Sequence, residues 1–373
     1  MIPFNIPCSI GKEEAAMKEA IKNSKLAGNG PFGKKCTDWL EDHLQCQRVL
    51  LTPSCTAALE MTALLTEVST GDEVIMPSYT FVSTANAFAI RGASIRFVDI
   101  TPATMNIDPV KIEAAITPRT KAIVIVHYAG VACDMDAIMD IANRYKLWVI
   151  EDAAQALFST YKGRALGTIG HFGTISFHET KNYTSGEGGA LIINDANSVN
   201  RAEIIQEKGT NRSQFKKGMV DKYTWRDIGS SFLLSELNAA YLSIQLEHGK
   251  IITQNRLQAW NQYKNQLQSL TNIETPFIPN DCQHNAHMFF MKTRDESERD
   301  SLINFLNDQE IMTVTHYVPL HSSHAGKKFG KFSGTDQYTT AESGRLLRLP
   351  LYYGIGEEAV DHVVKSIHAY YQP

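Results

Sequence analysis

From Arg48 onward, short unbroken apolar runs alternate with longer amphipathic stretches. VLLT (49–52) leads into a helical TAALEMTALLTEV (56–68), EVIMPS (73–78) into TFVSTANAFAIRG (80–92), and SIRFVDI (94–100) into a helix around residues 110–116. KAIVIVHY (121–128), a helix over 136–145 and LWVIED (147–152) continue the series. Val/Ile runs without polar alternation are what strands covered on both faces look like. Repeated strand-helix-strand units close through right-handed crossovers into a parallel sheet with helices on both faces. GTISFH (173–178) and GALIIN (189–194) predict further strands after a loop. This part reads as a large α/β domain.

After about residue 230 the texture changes. Residues 233–246 and 251–270 carry apolar side chains at helical spacing, among them Leu237, Tyr241, Ile244 and Leu257, Trp260, Tyr263, Leu267, and predict two long helices. A proline-containing stretch, TPFIPND (275–281), follows. MFFMKT (288–293) then predicts a strand, 300–309 a helix and 359–371 a closing helix. The expected division is a large domain over 1–235 and, over 236–373, interdomain helices with a small α+β domain.

Composition narrows the function classes. Among 373 residues, 36 Lys+Arg against 40 Asp+Glu leave a net charge of −4, which gives the whole chain no means of recruiting a polyanion. Nucleic acid is not an expected partner. No apolar run reaches the ~18–20 residues of a membrane span, and MIPFNIPCSIGKEE lacks the apolar stretch of a signal peptide. Cytoplasmic residence is expected, with Cys8, Cys36, Cys46, Cys55, Cys133 and Cys282 as reduced thiols. His316, His321 and His324 crowd into HYVPLHSSH, but no further ligands complete a zinc set, and the segment reads as a polar loop.

Ligands of an open parallel sheet gather at the carboxyl ends of its strands, and three groups fall there. Asp152 closes LWVIED and continues into Ala153-Ala154-Gln155; it is either a carboxylate facing the crevice or a helix cap. Lys181 follows GTISFH and enters the glycine-rich 185–189 loop; alone it could be a solvated surface charge. A lysine acts as a nucleophile only when desolvated or set near positive charge. Pro53-Ser54-Cys55-Thr56-Ala57 runs from a strand end into a helix, as either an anion cradle or simple capping. There is neither a GxxxxGK[ST] loop nor a GxGxxG after the first strand. Taken together, the three groups match the needs of pyridoxal 5′-phosphate (PLP): a lysine for its aldehyde, a carboxylate for its ring nitrogen and a cradle for its phosphate.

In order along the chain, the Ser-x-Thr-Ala helix start, PSYTFVSTANA, EDAAQA, the glycine-spaced run into SFHETKN, and GEGGA resemble the DegT/DnrJ/StrS family of sugar-nucleotide aminotransferases. The likeness runs from MIPFN to RLPLYYG. HETKNYT, EKGTNRSQF and DKYTWRDIGSS are most similar to the branch that forms dTDP-4-amino-4,6-dideoxygalactose.

The resemblance implies fold type I of the PLP-dependent transferases, with a large, mostly parallel seven-stranded sheet domain, a small C-terminal domain and a homodimer. It implies that Lys181 binds PLP through a Schiff base, Asp152 pairs with the pyridine nitrogen, and Gln155 lies near the phenolic oxygen. Cys55, Thr56, Ala57 and Ser176 would hold the phosphate, and Phe81 would stack on the ring. Relatives bring an Asn or Arg from the neighbouring subunit in a G-x-N-x-R-like segment; here Gly229-Ser230-Ser231-Phe232-Leu233 stands in that place, leaving Ser231 as the substitute. His178, Glu179, Tyr183, the 208–212 segment with Arg212, and His316-Tyr317 would face a nucleotide-linked ketosugar, with L-glutamate as amino donor. The implied product serves a cell-surface polysaccharide such as enterobacterial common antigen or O-antigen. The gluco epimer, a 3-amino sugar, and a ligand-sensing regulator on the same fold are the alternatives.

Overall fold

The computed structural model describes residues 1–372. The apolar runs become strands β1 (Arg48–Thr52), β2 (Glu73–Pro77), β3 (Ser94–Val98), β4 (Thr120–Val126), β5 (Trp148–Asp152), β6 (Phe172–Ser176) and β7 (Gly189–Ile193). The C-terminal part adds β8 (Phe289–Lys292), β9 (Gly330–Phe332) and β10 (Leu346–Leu349). One sheet has the order β1-β7-β6-β5-β4-β2-β3-β9. Its neighbours run parallel, except that β7 is antiparallel to both β1 and β6.

The sheet therefore has eight strands where seven were expected. The additional one is β9, three residues that pair with β3 from Gly330 opposite Ile95 to Phe332 opposite Phe97. A three-residue GKF segment is too short to show a period, and position 330 lies so close to the Ile95 backbone that a Cβ there would crowd it.

Alternation along each strand divides the core between the two faces. In β4, Ala122 and Val124 join the layer of helices Cys55–Leu65, Val82–Ala89 and Val199–Gln206. Ile123 and Ile125 pack under Pro109–Ala115 and Met135–Tyr145. At the β1 side, Val49, Leu51 and Ile192 meet helices Glu13–Lys22, Pro31–Leu44 and Glu236–Glu247. Each such buried Val, Leu or Ile contributes roughly 1.5–3 kcal/mol. The long helix Gly249–Leu267 is shared: Ile252 packs in that cluster, whereas Trp260, Tyr263 and Leu267 pack with β8, β10 and the closing helix Glu357–Tyr371.

Buried carboxylates fix the joints. Glu236 accepts from the backbone N–H groups of Gly30, Phe32 and Gly33 at 2.8–3.0 Å and so caps helix Pro31–Leu44 from another element. Asp99, just beyond β3, accepts from Gln337, Tyr338 and Thr339 N–H groups and from the Thr339 hydroxyl. The 316–321 segment is stitched to the end of β2, with Leu320 N on Ser78 O at 2.9 Å and His321 N on Ser78 Oγ at 3.1 Å. No described helix is long and apolar enough to cross a membrane.

Candidate active site

A cavity of about 590 Å³ opens at the carboxyl ends of β4, β5 and β6. Register places Val126, Asp152 and Thr174 side by side across those strands. Successive β5 side chains point to opposite faces. Glu151 turns away, buried, to accept from His127 Nε2 (2.8 Å) and from the N–H groups of Gly167, Ile169 and Gly170. Asp152 turns into the cavity.

Asp152 Oδ2 accepts from the Thr84 hydroxyl at 2.8 Å, and Oδ1 accepts from Ala154 N at 3.2 Å. Burial raises its pKa above the ordinary carboxylate value, and the bonds from Thr84 and Ala154 and the charge of Lys181 oppose the rise. Lys181, reached through the turn after β6, lines the same cavity and is half-buried. Burial lowers its pKa below the usual lysine range; Cys55 and Asp152 oppose the change and Arg348 reinforces it. A desolvated amine beside an acid can bind an aldehyde and exchange a proton, the two properties a solvated lysine lacks.

The third group is the start of helix Cys55–Leu65. Ser54 Oγ accepts from Ala57 N at 3.1 Å, and Thr56 Oγ1 donates to Ser83 Oγ at 2.8 Å. Ser54, Cys55 and Thr56 line the cavity together with Ser176 and Gly188. At position 189 a Cβ would overlap the backbone N of Cys55, so the helix start approaches β7 only because a glycine stands there. First-turn N–H groups and hydroxyls of this kind form an anion site. Burial pushes the Cys55 thiol far up, which keeps it protonated and inert as a nucleophile.

Gln155, His316 and Tyr317 form a wall. Gln155 Oε1 accepts from Ala129 N at 2.6 Å while Nε2 donates to the Tyr317 hydroxyl at 2.8 Å. His316 stacks on Tyr317 with centroids 3.7 Å apart, and its Nδ1 meets the Tyr128 hydroxyl at 2.8 Å. Burial, with Arg348 and Lys181 nearby, keeps the His316 imidazole neutral. Phe81, at the N-cap of helix Val82–Ala89, is exposed and lines the opening, as does His178.

Other expected residues lie elsewhere. Ala57 is behind the helix start, buried, with its N–H on Ser54. Tyr183 is a core residue: it packs on Phe158, its hydroxyl bonds Thr253 Oγ1 at 2.5 Å, and it does not line the cavity. Glu179 is exposed beyond the rim. Arg212 pairs with the Glu207 carboxylate at 3.4 Å, and the exposed Ser231 meets the Glu207 backbone in an isolated antiparallel bridge; neither lines the cavity. Among the lining residues that had not been anticipated are Arg256, Arg348 and His287. Arg348 stands in the motif RLPLYYG, but nothing in that string says that β10 faces the cavity.

The donor set fits PLP: an amine, a carboxylate held by neutral donors and a glycine-spaced anion cradle face one space. Among the described residues no group of three or more His, Cys, Asp or Glu side chains is placed to hold a metal ion. The spore coat polysaccharide biosynthesis protein SpsC of Bacillus subtilis (strain 168) is 32% identical over 374 residues, covering 98% of this chain and 96% of its own. The aminotransferase TlmJ from Streptoalloteichus hindustanus superposes with a TM-score of 0.90 at 29% identity, covering 99% of this chain and 98% of that one. Spr1654 from Streptococcus pneumoniae, in its PLP-form, gives a TM-score of 0.89 at 25% identity over 99% of this chain and 98% of that one. The family model of the DegT/DnrJ/EryC1/StrS aminotransferases matches residues 7–368, so the chain belongs to that family and is a PLP-dependent sugar aminotransferase of fold type I.

Proposed function

We propose that the chain transfers the amino group of L-glutamate to C4 of dTDP-4-keto-6-deoxy-D-glucose, giving dTDP-4-amino-4,6-dideoxy-D-galactose for a cell-surface polysaccharide. The observation that carries the chemistry is the meeting of Lys181 and Asp152 in one cavity, with Thr84 fixing the carboxylate. Bound PLP supplies an electron sink for breaking the C–H bond beside the transferred nitrogen. Lys181 would hold the cofactor and would carry the proton at the substrate carbon; burial lowers its pKa and so favours the free amine that this exchange needs. Asp152 keeps a proton on the cofactor ring. Thr56, Ser176 and the first-turn N–H groups of helix Cys55–Leu65 hold the phosphate. Gln155 positions Tyr317 through its 2.8 Å bond and so fixes one wall of the cavity that would hold the cofactor.

The sugar half of the proposal rests on the HETKNYT, EKGTNRSQF and DKYTWRDIGSS motifs and on size. A cavity of about 590 Å³ lies in the range of small-molecule sites and would hold PLP and the sugar together. His178, His316 and Tyr317 offer polar groups to hexose hydroxyls from its walls.

A homodimer belongs to the same proposal. Met219 (68% exposed), Trp225 (82%) and Ile228 (57%) display apolar surface on one exposed segment, next to Ser231. A second copy packed there would bury them and carry Ser231 toward the partner's phosphate site. Product NMR after incubation with dTDP-4-keto-6-deoxy-D-glucose and L-glutamate tests the reaction: a 4-amino galacto product is expected, and a 3-amino or gluco product contradicts it. Light scattering should show a dimer, against which an active monomer would count.

A further inference from the structure

His287 stands just before β8, on backbone that is held from one side. Arg256 Nε donates to Ala286 O at 3.1 Å, Arg256 Nη2 to His287 O at 2.7 Å and Trp260 Nε1 to Met288 O at 3.2 Å. Helix Gly249–Leu267 thus fixes three successive carbonyls. The buried Ala286 has a φ of 51°, in the left-handed region that residues other than glycine rarely adopt and that a surrounding structure must enforce. The result is one imidazole on the cavity wall.

The proton on that ring can be placed from its partner. His287 Nδ1 lies 2.9 Å from Oδ1 of the buried Asn182. The other end of the Asn182 amide, Nδ2, donates to the Asn285 carbonyl at 2.9 Å. A carbonyl only accepts, so the amide cannot be turned round, and Oδ1 must be the acceptor for Nδ1–H. Nε2 is left with a lone pair. Among the described residues nothing donates to Nε2, and it is not sealed away from the cavity. His316 has no such lock, because the Tyr128 hydroxyl at its Nδ1 can either donate or accept. Burial, and after it the charges of Lys181, Arg256 and Arg348, keep the His287 imidazole neutral.

We propose that His287 Nε2 accepts a hydrogen bond from the hydroxyl next to the ketone carbon of the acceptor sugar, and so selects hydroxyketone sugars over their deoxy analogues. A fixed lone pair calls for a donor, and the three cations around the ring disfavour an ammonium there, which leaves a neutral O–H. L-Glutamate brings two carboxylates and an ammonium; the sugar nucleotide brings the neutral hydroxyl groups. The charge of Lys181, which works at the ketone carbon, reaches His287. Of the two carbons beside C4 in a 4-keto-6-deoxyhexose, C3 bears a hydroxyl and C5 does not, so C3–OH is the partner. The inference rests on the ketosugar reading of the cavity and adds to it the group that the wall recognises.

His287→Asn and His287→Gln separate the two ends of the ring. Asparagine keeps an N–H where Nδ1 stands and offers nothing at Nε2, whereas glutamine reaches farther and presents its amide oxygen there. In stopped-flow absorbance, the pyridoxamine-loaded enzyme should react with dTDP-4-keto-6-deoxy-D-glucose about 30-fold more slowly in H287N and about threefold more slowly in H287Q. The half-reaction with L-glutamate should stay within about twofold of the parent in both. The parent should also use the 3-deoxy analogue of that sugar about 30-fold less well, and H287N should use the two sugars within about threefold of each other. Nitrogen NMR of histidine-labelled protein, with the His287 signals identified by their absence in H287N, should place the proton on Nδ1. Equal losses in both half-reactions would make His287 a brace for the turn that carries Lys181. An H287N enzyme that tells the two sugars apart as sharply as the parent does would remove the hydroxyl from Nε2, and a proton found on Nε2 would remove the acceptor. Each of these overturns the proposal. Should the parent accept L-glutamate but not this sugar, the substrate reading fails, while the position of the proton still decides whether His287 is an acceptor.

Discussion

Thr84 Oγ1 donates to Asp152 Oδ2 at 2.8 Å and, with its own proton so committed, accepts from Thr80 Oγ1, also at 2.8 Å. This relay fixes the carboxylate from the helix that follows β2, and it is one of the two bonds that hold the Asp152 pKa down against burial. Thr84→Val keeps the shape and removes the donation. A hydrogen bond to a charged group contributes about 1.5–3 kcal/mol, so kcat/KM should fall by about tenfold or more, with the acid limb of its pH profile moved upward. An unmoved acid limb would reduce Thr84 to packing.

Asp152→Asn should retain PLP but turn over far more slowly, because Asn cannot hold a proton on the ring nitrogen by charge. Stability should move the other way. The folded pKa of Asp152 lies above its ordinary 3.8, so its carboxyl favours folding least once ionised: stability is lost as pH rises from about 4 through the folded pKa. Cofactor-free Asp152→Asn should therefore melt higher than the parent at pH 7, and the gap should close on acidification below pH ~4. A lower melting temperature at pH 7 contradicts the burial argument.

Gly189→Ala tests the cradle. Its Cβ would overlap the backbone of Ser54 and Cys55, which cannot swing aside as a flexible side chain can. Overpacking of this kind typically costs about 1–3 kcal/mol, and displacing the helix start should speed the escape of PLP during dialysis. Unchanged retention of PLP would remove the helix start from the phosphate site.

Tyr183→Phe separates neighbours of the lysine from members of the site. Its hydroxyl bonds Thr253 inside the core, so the variant should lose about 1 kcal/mol of stability and keep the parent's KM for both substrates. A raised KM for the sugar nucleotide would return Tyr183 to the cavity wall.

Seven of the eight strands of the central sheet were legible because each carries a short apolar run, and the Asp152, Lys181 and Ser54-to-Thr56 positions followed from where those runs end. What was not legible depends on pairing between distant segments. β9 has no apolar period, and β10 is masked by Arg348 and Pro350 in RLPL. Helices Glu13–Lys22 and Pro31–Leu44 bury only narrow stripes, the second being capped by Glu236 from 200 residues away. Thr84 and Arg348 were missed for the same reason: the one lies inside a helix and the other inside a short strand, and only the fold turns them toward Asp152 and the cavity. Tyr183 was misplaced because two residues past Lys181 the chain has already turned back into the core.

The most direct test is reduction of the purified yellow holoenzyme with borohydride, followed by proteolysis and peptide mass analysis. The account predicts one peptide heavier by the reduced cofactor, with the modification on Lys181, and no yellow band in Lys181→Ala. Modification of another lysine, or a Lys181→Ala enzyme with full transaminase activity, would contradict it.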